Sequence, residues 1–572
     1  MPQKISDAEI KRFAAAYNKH GTVRAAAKRL GLTVGKAAHK RYQRALAANL
    51  IEHPGRAGPG PARRTKEELK PVVGGQVRVT RTETLEQPAR GRVQRYILTC
   101  AQNNTHLNRV VWDNLLALAA HYDARVMVSR FVYDKRGHRG MDKDTFVGSR
   151  RGQADPSEVT WDPELVPYLA DERVTIASGL VWCGEMNILP TAVRPLSGME
   201  SYTGRKSAIF PHVKLAMGSV ASGKHEATKF IYTTGTVTQR NYIQRKAGLK
   251  ADFHHCYGGL LVEVDGDGNW FVRQLNADGN SVIHDLDLRV SGGKVTTGHW
   301  VEALNWGDIH QIQLDPSIKR INWEVPDSIT RTLRPRYQFF HDTLSFVSRN
   351  HHEIKNPHEM FKKYVEGQQD VESEVRAVAQ FLLGVDKTEP SRLIVVDSNH
   401  DNALEKWLRE ADFRVDPVNA VYYLRASLAK YEAMAREDKD FHLLEWGFRR
   451  AWLSLSTDGK KSLPNLRFLR EDESYVICRD AGGGIECGMH GHLGPNGAQG
   501  GAVAFAKMGR KANVGHTHQA GIHDGVYTAG TSSLLDLGYN RGPSSWSHSH
   551  ILTYANGKRA ILTIWNGKWR AG

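Results

Sequence analysis

The sequence predicts an α/β protein with a small all-α module at its N-terminus. Three observations carry this: a basic, alanine-rich opening with helical spacing, strand-like apolar runs from residue 95 onward, and five polar clusters that each follow such a run. With 572 residues, 40% apolar and 24% charged, the chain is long enough for about three or four domains and apolar enough to bury cores. Disorder as a whole is excluded. No stretch approaches the roughly 18 apolar residues of a membrane span, and the first residues lack the apolar core of a signal peptide. Five cysteines without a CxxC pair argue against a disulfide scaffold or zinc ribbon. The expectation is a cytoplasmic protein with no membrane partner.

The first element is a helix over residues 6–17. Ser6 caps it, Glu9 follows three residues on, and Ile10, Phe13, Ala14 and Tyr17 share one face. A second short helix opens at Thr22 and runs to Leu30, Gly31-Leu32 makes the turn, and Thr33 caps a third helix to about Ala47. Small alanines in the second helix and a glycine in the turn allow close crossing, so residues 1–50 resemble the helix-turn-helix of resolvases and phage regulators. Charge agrees. Residues 1–95 hold 21 Lys and Arg against 7 Asp and Glu, a balance of +14 out of +17, which leaves +3 for the remaining chain. A basic end on a nearly neutral body suits a polyanion. Lys36, His39, Lys40, Arg41 and Arg44 on the third helix are the candidate DNA contacts; the plainer reading is a basic three-helix assembly module.

Residues 51–94, rich in Pro, Gly and Arg without periodicity, read as a basic tether. From Arg95 a β-α-β pattern begins (96–101, a helix near 108–121, then 125–133), followed by strand-like runs at 230–237, 257–265, 270–275 and 282–290. Residues 95–299 are expected to form a mixed α/β domain. Ala221-Ser-Gly-Lys224 has only a faint phosphate-loop look, lacking the upstream glycine and the Ser/Thr after the lysine. His254 and His255 read most simply as polar groups satisfied at a strand end.

Residues 300–572 are more informative. Apolar runs ending near residues 306, 340, 396, 489 and 514 lead into Asp308-Ile-His310, His341-Asp342, Asn399-His400-Asp401, His490-Gly-His492 and Gly515-His516-Thr-His518. Ligands in α/β sheets collect outside the carboxyl ends of the strands. Residues two apart on extended backbone point the same way, so Asp-x-His and His-x-His each present two side chains together. Carboxylate, amide and imidazole without thiolate suit Mn²⁺, Fe²⁺ or Zn²⁺. Seven ligands exceed the need of one ion and fit a pair about 3.5–4 Å apart.

Asp-x-His, Asp, Asn-His-Asp, His and Gly-His-x-His in that order resemble the calcineurin-like metallophosphoesterase superfamily. The downstream stretch from Gly525 resembles phage members of the group, the early DNA-transfer nucleases of tailed phages. The resemblance implies a metallophosphoesterase β-sandwich flanked by helices over 300–572, with a helical insertion at about 402–455 beside the crevice. It implies that Asp308, His310 and His518 hold one ion, that Asn399, His490 and His516 hold a second, and that Asp342 bridges them. His490 is preferred to His492 because it comes first after its strand. His400 would be the general acid, oriented by Asp401, and a hydroxide between the ions would attack phosphorus in line. Two divalent ions follow as cofactors, Mn²⁺ first, with Fe²⁺, Zn²⁺ or Mg²⁺ as alternatives. Two departures stand out: the second motif reads His341-Asp342-Thr-Leu-Ser345 where the family has Gly-Asp-x-x-Asp/Asn, and Ser398 replaces the glycine before Asn399.

Together the parts imply a phage-encoded, metal-dependent DNA nuclease acting in the host bacterial cytoplasm. DNA is its partner and a homo-oligomer its assembly. The alternatives are a nucleotide or DNA-end phosphomonoesterase, or a DNA-binding regulator with an inactive phosphoesterase fold. Asn350-His-His-Glu353 is a further candidate for substrate contact.

Overall fold

The computed structural model describes residues 5–20, 23–32, 36–48, 50–51, 82–133, 161–386, 391–455, 465–481 and 483–571. The chain divides into two compact units, Met1–Val73 and Gly74–Gly572.

The first unit contains helices Asp7–His20, Val23–Arg29 and Lys36–Ala47. The Ser6 N–H donates to Glu9 Oε2 (2.9 Å) and the Glu9 N–H to Ser6 Oγ (3.4 Å), so the capping box forms as the spacing predicts. Ile10, Phe13, Ala14 and Tyr17 are buried, against Ala26, Ala27, Ala38 and Ala45, whose small side chains let the three helices meet closely. Gly31 turns the chain at φ +65°, which favours glycine. Leu50 and Ile51 also pack on this core, so it reaches past residue 50. Thr33 lies outside the described residues.

The second unit begins earlier than expected. Residues 82–94 are not tether: Thr82–Thr84 pairs in parallel with Arg173–Ala177, and the Leu85 N–H donates to the Thr175 carbonyl (3.0 Å). Strand Val93–Gln102, helix Arg109–Tyr122 and parallel strand Ala124–Phe131 make the predicted β-α-β. Antiparallel strands Gly258–Asp265 and Trp270–Asn276 complete that four-stranded sheet.

A separate middle domain ending at 299 does not form. One eleven-stranded sheet draws strands from both sides of that boundary, joined where Met217 of Met217–Val220 pairs with Ile522 of Gly521–His523. Both side chains are buried there. Parted, the two halves would each expose an apolar edge strand.

Two smaller sheets pack on this common wall. The four-stranded sheet meets it through Leu98, Leu260 and Val262 against Trp182, Phe230 and Tyr232. Its other face carries helix Arg109–Tyr122 through Ile97, Val126 and Leu261. The second sheet has six strands, in the order Leu466–Phe468, Arg392–Val395, Tyr337–Phe340, Ala303–Asn305, Ser549–Thr553 and Arg559–Thr563, the first four parallel. Strand alternation divides its faces: Ala303, Tyr337, Phe339 and Ile394 meet Ile477, Ile485 and Cys487 of the wall. Leu304, Phe340, Leu393 and Val395 meet helices instead. These include Val371–Asp386, Ala420–Ala435 and Leu443–Leu455. The insertion expected to cap the crevice thus covers the outer face of this sheet, because Leu404, Tyr422, Leu444 and Phe448 bury themselves there. The architecture is mixed α/β.

Candidate metal centre

Three neighbouring parallel strands of the six-stranded sheet end at one edge. Ala303–Asn305 leads to Asp308 and His310, Tyr337–Phe340 to Asp342, and Arg392–Val395 to Asn399 and His400. From the wall, parallel neighbours Ile485–Glu486 and Lys511–Val514 lead to His490 and to His516 and His518. The crevice therefore lies between two sheets rather than along one. Asn513 Nδ2 donates to Asn305 Oδ1 (2.8 Å) across the gap, and within the wall the Gly515 N–H donates to the His490 carbonyl (2.7 Å).

There the seven predicted ligands converge. Asp308, His310, Asp342 and His518 form one buried group, and Asp342, His490 and His516 a second; within each, one ligand atom per residue lies within 4.8 Å of the others. Asp342 belongs to both. His518 Nε2 is 3.0 Å from Asp308 Oδ2 and 3.2 Å from His310 Nε2. His490 Nε2 is 3.2 Å from Asp342 Oδ2 and 3.0 Å from Asn399 Oδ1, so His490 and not His492 meets the amide. The backbone is bent to this purpose: His310, Asp342, His516 and His518 all have φ between +44° and +71°, a conformation costing about 1–3 kcal/mol each and concentrated at functional sites. Gly515 is required, since a Cβ there would lie 2.2 Å from Asp308 Oδ1.

The residues fit a cation. Asp308 Oδ1 is buried without a hydrogen-bond partner, an unstable state for a carboxylate unless something positive meets it. Burial works to lower the His490 imidazole, but the carboxylates of Asp342 and Asp308 outweigh it and hold it up at about 9. His310 is instead pushed down to about 3 by burial and by His400, leaving a lone pair for coordination. The site concentrates negative potential, which a cation would meet in place of the His490 proton, and presents His310 as neutral imidazole, a donor set suited to an N/O metal centre.

His400 lies half-buried on the Asp342 loop. Its N–H donates to Asp342 Oδ1 (3.2 Å), its ring stands perpendicular to His310 at 4.6 Å, and its Nδ1 lies 3.0 Å from the Ser345 carbonyl. Asp401 does not orient it. The Asp401 carboxylate accepts from Leu344 N (2.7 Å) and Thr343 Oγ1 (2.9 Å), donors that hold it inside the fold. It pins the loop behind Asp342, while the Ser345 carbonyl orients His400. Ser345 and Ser398 stand where the sequence departs from the motifs it resembles, and Ser398 Oγ accepts the Asp401 N–H (3.4 Å).

Sequence reasoning gave His341 no role and missed His550 and Trp546. His341 is fully buried with neither ring nitrogen hydrogen-bonded. His550 Nδ1 accepts the Gly307 N–H (2.9 Å) and its Nε2 reaches Asn322 Oδ1 (3.1 Å), holding the strand end before Asp308. The alternation Ser547-His-Ser-His550 was the available signal. Trp546 packs edge-on against His518 at 4.1 Å. Asn350 and Glu353 line a cavity of about 440 Å³ together with His400. Lys224 is paired with Asp536 (2.8 Å), and His255 Nδ1 meets the Tyr242 hydroxyl (2.6 Å) while its Nε2 is buried without a hydrogen bond.

On the third helix of the first unit, Lys40 is exposed. Arg41 is held by Glu9 (2.8 Å) with its side chain 14% exposed, and Arg44 reaches the Ile5 carbonyl (3.4 Å). The side chains of Lys36 and His39 lie outside the described residues.

No family model matches the chain. It is 37% identical over 521 residues to protein A1 of Escherichia phage T5, a match covering 89% of this chain and 88% of that protein. Among the described residues no helix is long and apolar enough to cross a membrane.

Proposed function

This chain belongs to the family of protein A1 of Escherichia phage T5, and we propose that it is a metal-dependent phosphodiesterase that cuts DNA. The observation that carries the reading is the pair of buried ligand groups sharing Asp342. Two divalent cations there, Mn²⁺ foremost, would lower the pKa of bound water and neutralise charge on the phosphate oxygens. Asp308, His310 and His518 would hold one, Asn399, His490 and His516 the other, and Asp342 both, in the calcineurin-like manner.

The remaining work falls to the chain's own groups. The Ser345 carbonyl can only accept, so Nδ1 of His400 carries a proton toward it, and Nε2 is left to hold and release one. His400 thereby serves as general acid toward the leaving oxygen. Asp401 acts earlier, by fixing the loop that aims Asp342. The basic helical unit supplies DNA affinity through phosphate contacts, with exposed Lys40 as one of them. It raises the local concentration of DNA by covalent attachment.

The test is a gel assay on linear and circular DNA with EDTA, Mg²⁺, Mn²⁺ or Zn²⁺, beside His516→Ala. Cutting that needs Mn²⁺ and is lost in the variant supports the reading. Hydrolysis of a phosphomonoester with no cutting of DNA in any metal overturns it.

A further inference from the structure

The segment from Leu534 to Trp546 bends over the metal centre and carries two side chains that the chemistry above leaves unused. Its shape is built: the Leu537 N–H donates to Asn540 Oδ1 (3.1 Å), Asn540 Nδ2 to the Leu535 carbonyl (2.8 Å), and Lys224 pairs with Asp536 (2.8 Å). Gly538 turns at φ +83°. The loop presents Tyr539 and Arg541 to the 440 Å³ cavity that His400 also lines. Tyr539 meets Trp546 edge-on (5.8 Å, 68°), and Trp546 in turn meets His518. An edge contact leaves a ring face free, and Tyr539 is 52% exposed. It is close enough to Asp342 and Asp308 that their charges, after burial, raise its hydroxyl. Arg541 is exposed and forms no ion pair among the described residues. Lys363, by contrast, is matched by Glu353 (2.7 Å) in the same wall.

A large, uncommitted aromatic face and an unpaired guanidinium, a residue apart from one another and beside the group that would protonate the leaving oxygen, have the chemistry of a nucleotide subsite. Bases stack on aromatic faces without regard to sequence, and arginine takes phosphate through paired donors. We propose that this cavity receives the nucleoside on the leaving side of the cut bond, its base stacked on Tyr539 and the next phosphate held by Arg541. The occupant is therefore an unpaired strand, because a base inside a duplex offers no face to Tyr539. This inference rests on the phosphodiesterase reading for the identity of the cut bond.

Two measurements separate the two ideas. In EDTA-treated protein, a single-stranded oligonucleotide carrying 2-aminopurine reports stacking by quenching, without any reaction. Quenching by the wild type and by Tyr539→Phe, lost in Tyr539→Leu, supports the subsite; equal quenching in all three overturns it. In Mn²⁺, single strands with and without an abasic residue just beyond the cut bond are compared. Wild type is expected to prefer the base-bearing strand by about ten-fold or more, chiefly in KM, since one stacked base is worth roughly 5- to 150-fold. That preference is expected to vanish in Tyr539→Leu and persist in Tyr539→Phe. Cutting with no preference for the base overturns the subsite and leaves the phosphodiesterase standing. Quenching without cutting does the reverse.

Discussion

At the scale of single residues, the candidate metal centre depends on close packing around its carboxylates. Gly515→Ala drives a Cβ into Asp308 Oδ1, so we expect the fold to survive while one ion is lost, read as bound Mn²⁺ per chain by elemental analysis. His550→Ala frees the Gly307 N–H and the Asn322 oxygen. It should cost about 1–3 kcal/mol in stability and weaken metal binding about 10- to 100-fold, as the loss of groups that orient ligands does; a Mn²⁺ titration of refolded variant checks both. The residues that gather there were legible in the sequence because each cluster follows an apolar run. His550 was legible only as part of the alternation Ser547-His-Ser-His550, which places it on one strand face without saying that it holds the Gly307 N–H. Asp401 misled for a related reason: adjacency to His400 in sequence does not say which way a carboxylate faces.

At the scale of elements, local rules carried far. The capping box at Ser6 and Glu9, the face of Phe13 and Tyr17, and the β-α-β unit from Val93 to Phe131 all form where pattern placed them. Ser6→Ala is expected to lower the stability of the first unit by about 1 kcal/mol, measurable by denaturation of residues 1–73 alone. Patterning could not foresee ion pairs between strands. Arg273 is 2% exposed and clasped by Glu263 (2.6 Å) and Asp285 (2.7 Å), with Arg95 also on Glu263 and the Tyr122 hydroxyl on Asp285. Arg273→Met would leave Asp285 buried without a cation and Glu263 with Arg95 alone. We expect a loss of about 3–5 kcal/mol in unfolding free energy, read from urea denaturation.

At the scale of the whole molecule, strand pairing overrode the sequence's apparent punctuation. Composition suggested a boundary near 300, but Met217 and Ile522, some 300 residues apart, pair across it, and nothing local announces a contact of that separation. Residues 300–572 expressed alone should therefore aggregate, whereas 82–572 should unfold in one transition. The histidine richness also has a global consequence. His212, His255 and His550 are buried and held at about 4, 3 and 3, chiefly by burial. Each stays neutral in the fold, and the unfolded chain takes up its proton below about 6.5. Stability is then intact above about 6.5 and falls as the pH drops toward 4, by up to roughly 1.4 kcal/mol per unit for each group. Urea midpoints at pH 8, 6.5 and 5 check the direction.

The central claim is that two ions sharing Asp342 cut DNA. Its most direct test titrates Mn²⁺ into metal-free protein and into Asp342→Asn, counting bound ions and following DNA cleavage in the same samples. The account predicts two ions per wild-type chain, cleavage that rises with the second, and neither full occupancy nor cleavage in the variant. Cleavage by metal-free protein, or at wild-type rate by Asp342→Asn, would contradict it.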